Sequence, residues 1–279
     1  MEIYRKNFTL KIGEKINLYF LGDLHEGNCN HAGKEFREAV KIIENDPDGY
    51  WIGMGDYIEA ITISDKRFDP MSVSENYRIK DLKDLPYVQI QNVYSKVKSI
   101  DSKCLALLIG NHEEAYVKYN HADVYNRFHE MFESNPHKIG YVGFLKLGFT
   151  RVDRGGKMQF TRVIALNHGD GGSGYREGYP INKVHDVFRW ADADICVMGH
   201  IHQLEKDSKK MIGVTNKDTL SRRWKFWGIS GCFLYTYVEG NKNYFEHKGK
   251  SESKIGMLMA TIEMRHDEVF TQLHEIELG

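Results

Sequence analysis

Proline is scarce in this chain, five residues in 279, and no Pro/Ser-rich stretch interrupts it. Without a linker to divide it, a length somewhat above that of an average domain reads as one large α/β unit with insertions. We therefore expect a single domain over residues 1–279. Cysteine is equally sparse. Cys29, Cys104, Cys196 and Cys232 lie far apart with no CxxC pair, and Cys104 and Cys196 sit within apolar runs, so the thiols are read as small buried side chains without chemistry. Neither sign of charge dominates: 38 Lys and Arg against 39 Asp and Glu leave a net of -1, which provides no global attraction to nucleic acid or an anionic membrane. No run of about 18 apolar residues is present. Met1 to Leu10 alternates charged and apolar residues where a secretory signal would carry a continuous apolar core. The expectation is a cytoplasmic protein with no membrane partner. The nucleotide-binding signatures GxGxxG and GxxxxGK followed by Ser or Thr are missing too. The glycine-rich stretches at 153–157 and 169–180 match neither, and the first lies between two β-like runs, as a hairpin turn would.

What is present is alternation of strand and helix. Ile16–Leu21, Tyr50–Met54, Cys104–Ile109, Val163–Leu166 and Ile195–Met198 are short runs rich in branched and aromatic residues, too brief for helices. Between the first two, Phe36, Val40 and Ile43 recur at helical spacing, and later "VYNRFHEMFE" and "INKVHDVFRWA" show the same pattern. Strand, helix, strand implies βαβ units. Residues 62–88 are polar and weakly periodic, which predicts an insertion loop, and 203–279 is β-rich, which predicts a second sheet built from the C-terminal part.

The strands share a way of ending. The five runs lead into Gly22-Asp23-Leu24-His25, Gly55-Asp56, Gly110-Asn111-His112-Glu113, Asn167-His168-Gly169 and Gly199-His200-Ile201-His202. In parallel α/β sheets the carboxyl ends of strands face a common crevice, so side chains distant in sequence converge there. Within Asp23-x-His25 and His200-x-His202, the two-residue spacing would put both side chains on one face of extended backbone. Carboxylate, imidazole and an Asn carbonyl, with no thiolate, suit manganese, iron, nickel or zinc in hydrolytic chemistry better than a structural thiolate site.

In this order, the set D-x-H, G-D, G-N-H-E, N-H-G and G-H-x-H resembles the motifs of the calcineurin-like metallophosphoesterase superfamily, here spanning Asp23 to His202. The resemblance implies a four-layer sandwich, two facing mixed β-sheets flanked by helices, with two divalent metal ions at the strand ends, manganese being the first expectation. It implies that Asp23, His25 and His202 hold one ion, that Asn111, His168 and His200 hold the other, and that Asp56 bridges them. His112 would stay off the metals beside the scissile phosphate, as proton donor or oxyanion partner. Glu113 would orient His112 or a ligand histidine. The implied reaction is hydrolysis of a phosphate ester by direct attack of metal-bound hydroxide, without a covalent enzyme intermediate.

The superfamily's protein phosphatases carry arginines in the G-D motif and before G-N-H; here those stretches read "GDYIE" and "LIGNHE", which disfavours phosphoprotein. A phosphodiesterase acting on nucleic acid or a nucleotide is the expected activity, with a nucleotidase-like phosphomonoesterase or a metal-binding, non-catalytic scaffold as alternatives. Lys66 and Arg67, beside Phe68, and Tyr175-Arg176 pair cations with aromatics as nucleic-acid sites do, and are candidate substrate contacts. His31 and His121 follow motifs closely and are candidates to line the cleft.

Overall fold

The structure, a computed structural model, describes residues 1–62, 65, 68–153, 156–172, 176, 178–239, 249 and 251–279. Among these, the strands are β1 (Glu2–Leu10), β2 (Lys15–Leu21), β3 (Gly49–Gly53), β4 (Cys104–Leu107), β5 (His137–Lys138), β6 (Val142–Asp153), β7 (Gly156–Asn167), β8 (Ile195–Met198), β9 (Leu204–Val214), β10 (Leu220–Ser230), β11 (Gly256–Met264) and β12 (Val269–Glu277). The α-helices are α1 (Gly33–Asn45), α2 (Leu85–Val97), α3 (Asn111–Asn120), α4 (Val124–His129) and α5 (Tyr179–His185).

Strand side chains alternate between faces, and here both faces of the central strands are apolar, which demands cover on both sides. Tyr19, Leu21 and Trp51 pack against Phe36, Val40 and Ile43 of α1 and Ile90 and Val93 of α2. Their neighbours Leu18, Phe20 and Ile52 point the other way, into a layer shared with Leu145, Leu147, Ile164, Ile195 and Val197. Ala165, Cys196 and Met198 then face Val184 of α5 and Val187 just beyond it. Helix, sheet, sheet, helix is the result. The sheets are mixed, six strands each, in the orders β1-β6-β7-β8-β10-β9 and β12-β11-β2-β3-β4-β5.

The strands that carry the motifs run parallel, β2-β3-β4 in one sheet and β7-β8 in the other, where β10 continues the parallel set. The expected sheet of C-terminal strands does not form. β9 and β10 extend one sheet, while β11 enters the other antiparallel to β2 with β12 outside it. Each of these strands adds to an edge whose inner face already needs cover, which buries more apolar surface than a separate sheet would. Helix α2 begins at Leu85, inside the stretch read as an insertion, and two 3-10 turns, Pro70–Ser72 and Ile79–Asp84, precede it. β6 and β7 pair antiparallel from Val142↔Asn167 to Asp153↔Gly156, on either side of residues 154–155, which lie outside the described set. The four cysteines form no disulfide, and Cys104, Cys196 and Cys232 are buried.

Candidate metal centre

The loops after β2 and β3 are laced together by backbone: Asp23 N–H donates to Gly55 O, and the N–H groups of Leu24 and His25 both donate to Asp56 O. The loop after β8 joins through a side chain, since both Asp23 carboxylate oxygens accept from the His200 N–H at 3.0 and 2.9 Å. The loop after β4 joins through Asp56 Oδ1, which accepts from the His112 N–H at 2.9 Å. Residues from both sheets therefore meet in one place.

The backbone there is not extended. Asp23, His25, Asp56, His200 and His202 all have positive φ, between 48° and 65°. Left-handed conformation in a non-glycine residue costs about 1–3 kcal/mol and persists where surrounding structure enforces it, chiefly at functional sites. The two-residue spacing therefore works through twisted turns, not through a shared strand face: Asp23 and His25 stay in one group, while His200 and His202 part. His202 joins Asp23 and His25, whereas His200 joins Asp56 and His168. A third grouping, His25, Asp56 and His112, lies between them.

What suits these groups to hold cations is that acceptors face acceptors. The backbone carbonyl of Met54 lies 2.8 Å from His168 Nδ1, which places that ring's proton on Nδ1 and turns the Nε2 lone pair towards Asn111 Oδ1 at 3.0 Å and Asp56 Oδ2 at 3.3 Å. On the other side, His25 Nδ1 donates to Glu59 Oε2 at 3.0 Å, leaving His25 Nε2 only 3.0 Å from His202 Nε2, with Asp23 Oδ1 at 3.6 Å from the latter. The His200 Nδ1 atom is buried without a hydrogen-bond partner. Lone pairs so arranged repel unless a proton or a metal ion lies between them. The donor set of imidazole, carboxylate and amide oxygen thus fits divalent ions.

The ionisation tendencies of the metal-free protein follow the same logic. Burial would hold the His168 imidazolium down, but the Asp56 carboxylate more than reverses this and pushes it up to about 10. Burial is also the largest influence on Asp56 and would raise it, yet His168 and His112 outweigh it and hold the carboxyl well below its usual range. Burial, with Asp56 nearby, pushes Asp23 up to about 8, and burial takes His200 down to about 4. His168 thus takes up a proton beside Asp56, while His200 stays neutral.

Of the remaining candidates, Glu113 is fully enclosed, and its carboxylate accepts from four backbone N–H groups, those of Gly110, Asp56, Tyr57 and Ile58, at 2.7–3.1 Å. It clamps the loops after β3 and β4 together, with no bond to an imidazole. His31 turns away to Leu24 O and Glu26 Oε2. His121 ends α3 in left-handed conformation, exposed, and Arg176 is exposed ahead of α5. Lys66, Arg67 and Tyr175 lie outside the described residues. Sequence reading missed Glu59, three residues after Asp56 within "GDYIE": its carboxylate fixes the His25 ring and its carbonyl meets His112 Nδ1 at 2.5 Å.

Close approach explains Gly110. A Cβ there would stand 2.1 Å from the Asp56 nitrogen and 2.2 Å from Asp56 Oδ1. Gly110→Ala is expected to destabilise the fold by about 1–3 kcal/mol through overpacking and to displace Asp56. Urea titration with parallel metal analysis would check this, and an unchanged midpoint together with full metal content would refute the close fit.

A two-sheet α/β sandwich with His/Asp clusters at its strand ends defines a class of metal-dependent hydrolase folds. The chain belongs to the calcineurin-like phosphoesterase family, whose sequence profile matches residues 16–204. Members bind divalent metals, and the clusters described could hold them. No curated protein matches the chain. Among solved structures it is similar to Vps29 from Chaetomium thermophilum, with 11% identity over 94% of this chain and 95% of that one, at a TM-score of 0.39. It is also similar to the NAD nucleotidase NadN from Haemophilus influenzae, with 8% identity over 96% of this chain and 51% of that one, at 0.42. At such scores neither bears on substrate.

Proposed function

We propose that the protein is a phosphoesterase that holds two divalent ions and hydrolyses a phosphodiester, with nucleic acid or a nucleotide as substrate. The observation that carries the reading is the pair of clusters in which acceptor atoms face one another, Asp23, His25 and His202 on one side and Asp56, Asn111, His168 and His200 on the other. When bound, two divalent ions supply positive charge for the phosphoryl oxygens and lower the pKa of water. Asp56, with Oδ2 towards both His168 and His25, is placed to serve both groups. His112 holds its Nδ1 against the Glu59 carbonyl, which fixes the ring and leaves Nε2 to carry a proton to a leaving oxygen. Its ring stands edge-on to that of His25, 4.7 Å between centroids.

Charge near the clusters supports the diester. A monoester dianion needs more neutralisation than a diester, and arginine is the usual means. Here Asp56 is followed by Tyr57, Ile58 and Glu59, so the loop adds a carboxylate where a cation would help a dianion. The test is turnover of bis-nitrophenyl phosphate against nitrophenyl phosphate by protein loaded separately with manganese, nickel, zinc and iron. The diester is expected to be faster with manganese by about tenfold or more, roughly 1.4 kcal/mol in the barrier. A monoester rate exceeding every diester by about as much would overturn the preference, and no turnover with any metal would favour a non-catalytic scaffold.

A further inference from the structure

Among the described residues, the outer part of the β9–β10 hairpin has no third strand beside it. β8 pairs with β10 only over Phe226–Ile229, and Lys225 turns its side chain to Asp192 and to the Ala193 carbonyl, so Leu220–Trp224 has β9 as its one strand neighbour among the described residues, a two-stranded ribbon continuing beyond the paired part of the sheet. From Lys206 to Val214 every residue of β9 is exposed, whichever face it occupies. Residues 206–225 hold seven Lys and Arg against two Asp, in a chain of net charge -1. The strand register places Lys210, Ile212, Val214, Leu220, Arg222 and Trp224 on one face. Its large apolar members are strongly exposed: Ile212 at 71%, Val214 at 72%, Leu220 at 63% and Trp224 at 49%.

Isolated ribbons are marginal in water, and exposed aliphatic residues on both strands add a cost that a partner would remove. Self-association along β9 would crowd Lys206, Lys209 and Lys210 of two copies together, so the charge selects an anionic partner. Two strands about 4.8 Å apart with their side chains fit a B-DNA major groove of about 12 Å. Basic residues along the flanks would neutralise phosphates, while apolar side chains on the same ribbon can meet thymine methyl groups on the floor of that groove.

We propose that the β9–β10 ribbon grips duplex DNA at a site remote from the metal centre. Ile229 pairs with Met198, two residues before His200, so Trp224 lies about 17 Å back along the strand at about 3.3 Å per residue. The ribbon thus holds the duplex roughly five base pairs or more from the centre, taking about 3.4 Å for each pair. The proposal rests on the reading of the substrate as a nucleic-acid diester, and its test separates the two.

Binding of a fluorescent 20-base-pair duplex DNA by the full chain, followed by anisotropy in chelator so that no hydrolysis intervenes, gives the affinity at several salt concentrations. Arg222→Gln combined with Arg223→Gln is expected to weaken binding by about tenfold or more and to reduce the slope of log K against log salt by about 2. Val214→Ser with Leu220→Ser is expected to weaken binding with that slope unchanged. Turnover of bis-nitrophenyl phosphate, too small to reach the ribbon, should match that of the parent protein. Absence of duplex binding, or parental affinity in both variants, overturns the proposal whatever the diesterase result. So does a ribbon whose substitutions abolish binding to phosphatidylserine vesicles, or dissociate a dimer, while duplex affinity stays intact. Duplex binding lost in the variants sustains it even if no diester is cleaved.

Discussion

Asp56→Asn is expected to lower kcat/KM by about three orders of magnitude or more while leaving the protein folded, equivalent to roughly 4 kcal/mol of lost transition-state stabilisation. The reason lies in which oxygen does what. Oδ1 accepts from the His112 N–H, a role the asparagine carbonyl can keep, so the loops after β3 and β4 remain joined. Oδ2 faces His168 Nε2 at 3.3 Å and His25 Nε2 at 3.9 Å, and the substitution puts an NH2 there. That group would donate to the lone pair otherwise left for a cation, and would remove the one carboxylate that serves both clusters. The measurement is turnover of bis-nitrophenyl phosphate beside elemental analysis and circular dichroism. A folded variant with parental rate and parental metal content would sink the assignment of Asp56, and parental turnover in metal-stripped wild-type protein would sink the metal-dependent mechanism.

His112→Ala should separate a proton donor from a ligand. As a donor it should leave metal content unchanged and slow diesters with alkoxide leaving groups by about 100-fold or more, general acid catalysis being worth about that much. With nitrophenolate, which departs with little need of a proton, the loss should shrink. A loss equal across leaving groups would rule out the acid role in favour of plain oxyanion stabilisation, and a loss of metal would make His112 a ligand. The second outcome is a real competitor, since His112 lies with His25 and Asp56 in one potential cation group.

The five motif-bearing strand ends were legible because each couples an apolar run, which must be buried, to glycine and ligand residues, which must not be wasted. Phe36, Val40 and Ile43 likewise announced α1 by spacing alone. Less visible was β1, whose alternating pattern in Glu2–Leu10 serves an edge strand parallel to β6 and buries only Phe8. The left-handed backbone of Asp23 or His200 has no sequence cue, because the strain is imposed by neighbouring loops and not by the residue itself. Backbone carbonyls such as that of Met54, which orients His168, are invisible in principle, since any residue supplies one. Glu59 could have been found by asking what holds the far nitrogen of each ligand histidine, a question geometry answers better than spacing does. Glu113 shows the reverse: a carboxylate beside a catalytic motif whose oxygens are wholly consumed by amide groups.

The centre draws on both layers of the sandwich, Asp23, His25, Asp56 and Asn111 following strands of one sheet and His168, His200 and His202 following strands of the other. Ions bound there would rivet the two sheets to each other at one end. Binding and folding are then thermodynamically linked: each tenfold excess of free ion over its dissociation constant adds about 1.4 kcal/mol to the stability of the whole domain. The five left-handed residues pull in the opposite direction. In the absence of ions, the rim at this end of the sandwich is therefore where the two sheets would first part, and resistance to proteolysis becomes a gauge of metal supply.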